Sequence, residues 1–342
     1  MPSFPCRSLA RVHREPCVFI SDDAVHAALV HRPHEYFGFM HRALTEVARG
    51  VIVAEAPEKQ VFVDAGGGDF RVMPCVTRRG RTVVKTVKIV GTNLAQCVVP
   101  DQITVGKLLV LHPRENFVSH IIDACVLSSA RTGVCAALAI AALARRRGHL
   151  TVIGAGRVGF YTALYAAAAG VNRVTLADRN ARRAAAAARA LGALCPHLAV
   201  AAARLTARHH TDVVALATTS RAPLCAPPAW HADLVVSLGA DTYDQHELDP
   251  AWARVAGIYV DAYDSLRFGD LLAWRRAGLL APRAVRDLLS AVANGPRRGD
   301  GPRIFISTGS ALFDNLTAAY LLSRERRGAA LSPQARTRSL QT

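Results

Sequence analysis

Gly154-Ala155-Gly156-Arg157-Val158-Gly159 follows the apolar run Leu150–Ile153 and opens a stretch with helical spacing. Glycines at those three places let a backbone turn tightly, approach a pyrophosphate and bring a helix close to a strand. Free N–H groups at the helix start would hold the anion, so Arg157 and Val158 belong to the cradle. Asp178 comes 24 residues after Gly154, at the end of the next apolar run, where an acid can bind a ribose diol. Its charge would repel a 2′-phosphate and favours NAD, while Arg179 directly after it leaves NADP open as the alternative.

Other chemistries lack their residues. Lys+Arg number 42 against 26 Asp+Glu, a net charge of +16, which raises the question of nucleic acid. The arginines are spread along the whole chain, however, without the interleaved aromatic residues that stack bases. None of the eight cysteines forms a C-x-x-C pair, and His31 and His34 have no accompanying ligand pattern, so no metal site is expected. Four of the 42 basic residues are lysine: Lys59, Lys85, Lys88 and Lys107. In so arginine-rich a chain they mark positions where a compact ammonium matters.

These groups need elements to position them. A loose leader covers residues 1–20, and the apolar spacing from Asp22 to Gly50 predicts a helix capped by Ser21 or Asp22. From Val51 to Val118 the texture is β, with antiparallel character and turn signals at Gly66–Gly68, Arg79-Gly80 and Pro113. A long Ala/Leu helix then opens at Ser128-Ser129 and ends at Gly148. Short apolar strands alternate with helices beyond it, ending in a strand at 304–309 and a last helix to about Ser323. The fold class expected is α/β: a Rossmann-type doubly wound parallel-sheet domain (128–309) plus an α+β substrate and dimerisation domain (1–127). A C-terminal helix (310–325) would return to the latter, followed by a basic, disordered tail (326–342). No apolar stretch reaches spanning length and no signal peptide is evident, so a cytoplasmic enzyme without membrane or nucleic-acid partners is expected.

Met73-Pro74, Lys85, Ser129-Ala130-Arg131-Thr132-Gly133, the glycine loop, Gly239-Ala240-Asp241 and Glu247-Leu248-Asp249 occur in one order over roughly residues 20 to 325. As a constellation this resembles the ornithine cyclodeaminase/mu-crystallin family. The resemblance implies NAD(P)-dependent chemistry at the α-carbon of amino or imino acids, in a cleft between the two domains of a homodimer. It implies that Arg131 grips the substrate α-carboxylate, a bidentate task suited to guanidinium, while Arg131 and Thr132 meet the cofactor phosphates. Lys85 falls on the active-site lysine, eight residues before Asn93, with Lys88 on the opposite strand face as its competitor. Asp241 falls on the acid that manages the proton or water, Thr218 on a cofactor-contacting threonine, and Ser307 on a serine near the nicotinamide.

Departures bear on the substrate. Cyclodeaminases of the family carry a glutamate for the second amine where this chain has Arg71, and the lysine between the acid and Glu247 is replaced around Gln245. Arg71 is therefore expected to bind substrate, favouring an extra carboxylate over an ammonium. The preferred reading is a dehydrogenase that oxidises an amino acid to an imine for hydrolysis, or runs in reverse as an imine reductase. Its substrate would be N-substituted and carboxylate-rich, as in 2,3-diaminopropionate formation. A cyclodeaminase-type lyase and a non-catalytic ligand binder are the alternatives.

Overall fold

The computed structural model describes residues 15–327 apart from 65–66, 94, 100–101, 205–208, 228–229 and 298–300. The expected disordered tail thus lies outside the described residues from 328 onward, as do the first fourteen residues of the leader.

Runs of β-branched residues bounded by turn signals form the first sheet. Its strands are β1 (Val18–Ile20), β2 (Val53–Glu55), β3 (Gln60–Val63), β4 (Asp69–Arg79), β5 (Thr82–Thr92), β6 (Thr104–Leu111) and β7 (Val118–Asp123). They are ordered β1-β7-β6-β5-β4-β2, with β3 also on β4, and only the β1–β7 pair is parallel. Period-two alternation gives this sheet an inner face of buried residues. Arg71, Met73, Cys75 and Thr77 lie there on β4, and Thr86, Lys88 and Val90 on β5.

The helix expected from Asp22 to Gly50 is two helices, α1 (Asp22–Val30) and α2 (Pro33–Ala48). Ser21 does cap the first, its hydroxyl accepting from Ala24 N at 3.4 Å. Pro33 separates them, because a proline tolerated at a helix start cannot continue the preceding one. The apolar helix α3 (Ala124–Leu143) begins four residues before the expected serine caps. Inside the helix, Ser129 Oγ bonds back to Cys125 O and Thr132 Oγ1 to Ser128 O, so these hydroxyls are satisfied without capping. By length and composition α3 could cross a membrane, but most of it is buried within the protein.

The second sheet contains β8 (His149–Ile153), β9 (Arg173–Ala177), β10 (Ala199–Ala203), β12 (Val213–Leu216), β14 (Leu234–Ser237), β15 (Gly257–Val260), β16 (Val285–Asp287) and β17 (Arg303–Ile306). All neighbours are parallel, in the order β10-β9-β8-β12-β14-β17-β15-β16. Two-residue strands β11 (His209–His210) and β13 (Trp230–His231) pair beside it. Helices α4 (Arg157–Ala166), α5 (Ala181–Leu194), α6 (Trp252–Val255), α7 (Gly269–Arg276) and α8 (Leu288–Asn294) connect the strands. Strand order reverses between β8 and β12, the switch point at which open parallel sheets bind ligands.

The last helix, α9 (Ala311–Arg326), returns to the inner face of the first sheet. Asn315 fastens it there: its amide donates to Cys75 O, Val84 O and Thr86 Oγ1 and accepts from Thr77 Oγ1 at 2.6 Å. Helix α3 also packs on this face and touches β14 and β17, so it joins both sheets.

Candidate active site

The inner face of the first sheet carries a buried group of charges beside its apolar residues and threonines. Lys88 on β5 is 1% exposed and Asp314 on α9 equally buried; Lys88 Nζ lies 2.9 and 2.8 Å from the two carboxylate oxygens. Arg131 on α3 donates from Nε to the same carboxylate at 3.1 Å. One buried anion therefore serves two cations from different elements, which is the condition for keeping charge inside a protein. Burial lowers Lys88 to about 8, against the pull of Asp314.

Gly309, with φ +91°, follows β17 and presents its bare Cα to Arg131; a Cβ there would come within 2.9 Å of Nη2. Lys59, buried before β3, donates to Thr308 O at 2.6 Å, Thr308 Oγ1 at 3.0 Å and Gly309 O at 3.2 Å, so the first sheet holds the loop of the second against Arg131. Burial lowers Lys59, with Asp264 opposing at 4.0 Å.

Arg71 on β4 makes a second bridge between the sheets. It grips Asp69 through Nε and Nη2, both at 2.9 Å, and Asp241 through Nη1 at 2.9 Å. Burial would lower it, but the two carboxylates more than offset this and raise it. Asp241, in the loop after β14, has a side chain 36% exposed and thus faces solvent. Arg71 spends three of its five N–H groups on these two carboxylates, so an extra substrate carboxylate could meet it only beside Asp241.

At the switch point the glycine loop has the shape a dinucleotide needs. Gly154 has φ +97°, and a Cβ there would lie 2.2 Å from Ala217 O. A Cβ on Gly159 would lie 1.9 Å from Gly154 O, whereas on Gly156, ahead of α4, it would meet nothing within 4 Å. Asp178 ends β9, its oxygens accepting from Ala155 N at 2.9 Å and Asn180 N at 2.8 Å. Arg179 is exposed beside it, and Arg183 Nη1 stands 3.8 Å from Asp178. A loop whose outer glycines leave no room for a Cβ while the middle one stands open, with an acid at the next strand end, fits a dinucleotide's pyrophosphate and ribose.

Glu247, fully buried, ties the neighbouring loops together. One oxygen accepts from Thr218 N and Oγ1, the other from Ser237 Oγ, Leu238 N and Gly239 N. Burial raises it, and these donors oppose that rise. Thr218 and Asp241 are thereby set on adjacent loop ends.

Not every expected residue joins this arrangement. Lys85 lies on the other face of β5 and donates to Asn116 Oδ1 at 2.6 Å, away from Arg131; the lysine brought to the cluster is Lys88. The correction follows from strand alternation, since residues three apart face opposite ways. Arg131 is the eighth residue of α3 and not near its N-terminus, as the serine caps had suggested. Thr132 is buried with its hydroxyl given to Ser128 O, and Ser307 Oγ donates to Asp261 Oδ2 at 2.7 Å. Sequence reasoning missed Asp314, although a charge in the middle of the apolar stretch Ala311–Leu322 was itself a signal.

The sequence profile of the ornithine cyclodeaminase/mu-crystallin family matches residues 22–326. A Delta(1)-pyrroline-2-carboxylate reductase of Burkholderia ambifaria is 29% identical over 302 residues, covering 86% of this chain and 91% of the relative. Among solved structures, Thermococcus litoralis Delta(1)-pyrroline-2-carboxylate reductase, in complex with NADH and L-proline, superposes with a TM-score of 0.79 at 19% identity, over 91% of this chain and 98% of its own. The iminosuccinate reductase of Paracoccus denitrificans with NAD+ gives 0.75 at 21% identity, over 92% and 98%. At those identities the structural likenesses establish the shared fold.

Proposed function

Because the chain belongs to the ornithine cyclodeaminase/mu-crystallin family, we propose that it is an NAD(H)-dependent oxidoreductase of an α-imino acid and its α-amino acid, working chiefly as an imine reductase. The observation that carries this reading is the buried Lys88–Asp314–Arg131 cluster, which puts a proton-carrying ammonium beside a guanidinium able to take a carboxylate. The reductase relatives named above support the direction.

Nicotinamide, when bound, gives or takes a hydride at the substrate α-carbon. Gly154, Gly156, Gly159, Arg157 and Val158 would seat its pyrophosphate through backbone, with Asp178 on the ribose and Thr218 nearby. Arg131 uses Nε for Asp314 and offers its two Nη groups to the α-carboxylate. Lys88 supplies the proton that turns the imine nitrogen into an amine nitrogen, and retrieves it in reverse; a value near 8 suits both tasks. Asp241 is held by Arg71, which shares the inner sheet face with Lys88, and orients the nitrogen. The α-carboxylate falls to Arg131, since Arg71 already holds Asp69 and Asp241.

We assign the exposed outer face of the first sheet to a homodimer contact. Phe19, Phe62, Phe70 and Ile89 are each more than two-fifths exposed there, and Phe62 stacks on Phe70 at 4.6 Å. Size-exclusion chromatography with light scattering tests it, and a monomer at micromolar concentration removes it.

The activity is tested by mixing the protein and NADH with 1-pyrroline-2-carboxylate, its six-membered homologue and iminosuccinate, and separately NAD+ with amino acids that include ornithine. NADH consumption with an imino acid is expected. Ammonia and proline from ornithine without net change in NADH would replace the reductase by a cyclodeaminase. Tight NADH binding with silence across both panels would leave a ligand-binding protein.

A further inference from the structure

Asp241 has a second partner, on its own loop. Gln245, 4% exposed, places its side-chain amide 2.6 Å from Gly239 O, 3.1 Å from Thr242 Oγ1 and 3.2 Å from Asp241 Oδ1. All three are acceptors, because Thr242 gives its own hydroxyl proton to Asp244 Oδ1 at 2.9 Å. The amide atom that faces them is therefore the nitrogen. One of its two N–H bonds is used by Gly239 O at the shortest distance. The other goes to the charged carboxylate in preference to the hydroxyl, since an ionised acceptor binds more strongly.

Asp241 is thus held on both oxygens: Oδ2 by Arg71 from the first sheet, Oδ1 by Gln245 from its own loop. Arg71 alone would leave the carboxylate free to rotate about its bond to the guanidinium. A donor on each oxygen defines one rotamer. Gln245 is itself fixed, since its neighbour Glu247 is anchored by five donors and by its own N–H to Asp270 Oδ2 at 3.1 Å.

We infer that Gln245 is a positioning residue for the reaction, fixing the carboxylate of Asp241 opposite Arg71 so that it meets the substrate nitrogen in a single orientation. This rests on the reductase reading above. Gln245→Met keeps the length of the side chain and removes the donor, and Gln245→Lys restores a donor on a similar stem. The expected result is a fall in kcat of about tenfold to a hundredfold for Q245M, the scale of a small misplacement at a reacting centre. Binding of NADH followed by fluorescence stays unchanged, and Q245K recovers most of the loss.

The decisive comparison is with Asp241→Asn. If Gln245 acts through Asp241, adding Q245M to D241N costs nothing further, whereas a general structural role makes the two losses multiply. Multiplying losses, equal damage from Met and Lys, or full activity in Q245M would each overturn the inference. A readout without turnover separates this from failure of the reductase reading. In protein labelled with 13C at aspartate carboxyls, D241N identifies the Asp241 signal, which Q245M should shift or broaden and Q245K return. That response in a protein inactive on every substrate would sink the reductase reading and leave the positioning contact intact; an unmoved signal would sink the contact.

Discussion

The nucleotide corner and the cation cluster are built in opposite ways. The corner is local and made mainly of backbone: Gly154, Gly156, Gly159 and Asp178 fall within 25 residues and two successive β–α units. The cluster is distant and made of side chains, with Lys88 and Asp314 separated by 226 residues and brought together by the return of α9 to the first sheet. A backbone cradle tolerates change in everything but its glycines. A buried ion cluster tolerates loss of none of its members, because each leftover charge sits in an apolar interior.

The sharpest way to break the comparison is Lys88→Met. It should lower kcat by about a thousandfold, within the range of general acid–base effects, while fluorescence titration shows NADH binding kept. Loss of both together would mean that the two regions are not separable. Asp314→Asn should come next. Leaving Lys88 and Arg131 without their carboxylate is expected to cost about 3–5 kcal/mol in denaturant unfolding, and a variant as stable as the parent would show that the cluster is not buried as described.

The corner makes a paired prediction. Gly159→Ala has no room and should destabilise by about 1–3 kcal/mol. Gly156→Ala has room and an ordinary backbone, so it should melt like the parent while its NADH affinity falls. Equal melting of the two would remove the argument from close approach.

A milder effect is expected from pH. Lys88 loses its proton as pH rises through about 8. Imine reduction, which consumes that proton, should decline above this value, and amine oxidation, which needs the vacant nitrogen, should rise over the same range. Profiles that run parallel in the two directions would assign the proton to another group. The smallest effect belongs to Lys85→Ala, expected to change turnover by less than about twofold, as for surface substitutions generally. A large loss there would return the catalytic lysine to the outer face.

Legibility followed the same division. Seven of the eight strands of the parallel sheet, the glycine loop and Asp178 are readable because each is specified by neighbours in sequence. β16 and the split between α1 and α2 were not foreseen: the first is a three-residue strand, and the second required weighing Pro33 against an otherwise continuous apolar pattern. Arg131 and Asp241 were singled out by motif, but their partners Asp314 and Arg71 come from α9 and β4, and no local pattern couples such elements.

The sequence by itself determined the class of fold, the order of the elements and the nucleotide corner, since turn chemistry and hydrophobic period act over a few residues. It also determined that Lys85 and Lys88 point to opposite faces of one strand. Which face became the interior was decided only by tertiary structure, because alternation offers two faces and the packing of α3 and α9 covers one. That choice buried Lys88 against Asp314 and left Lys85 to solvent. The same packing put Asp241 within reach of Arg71.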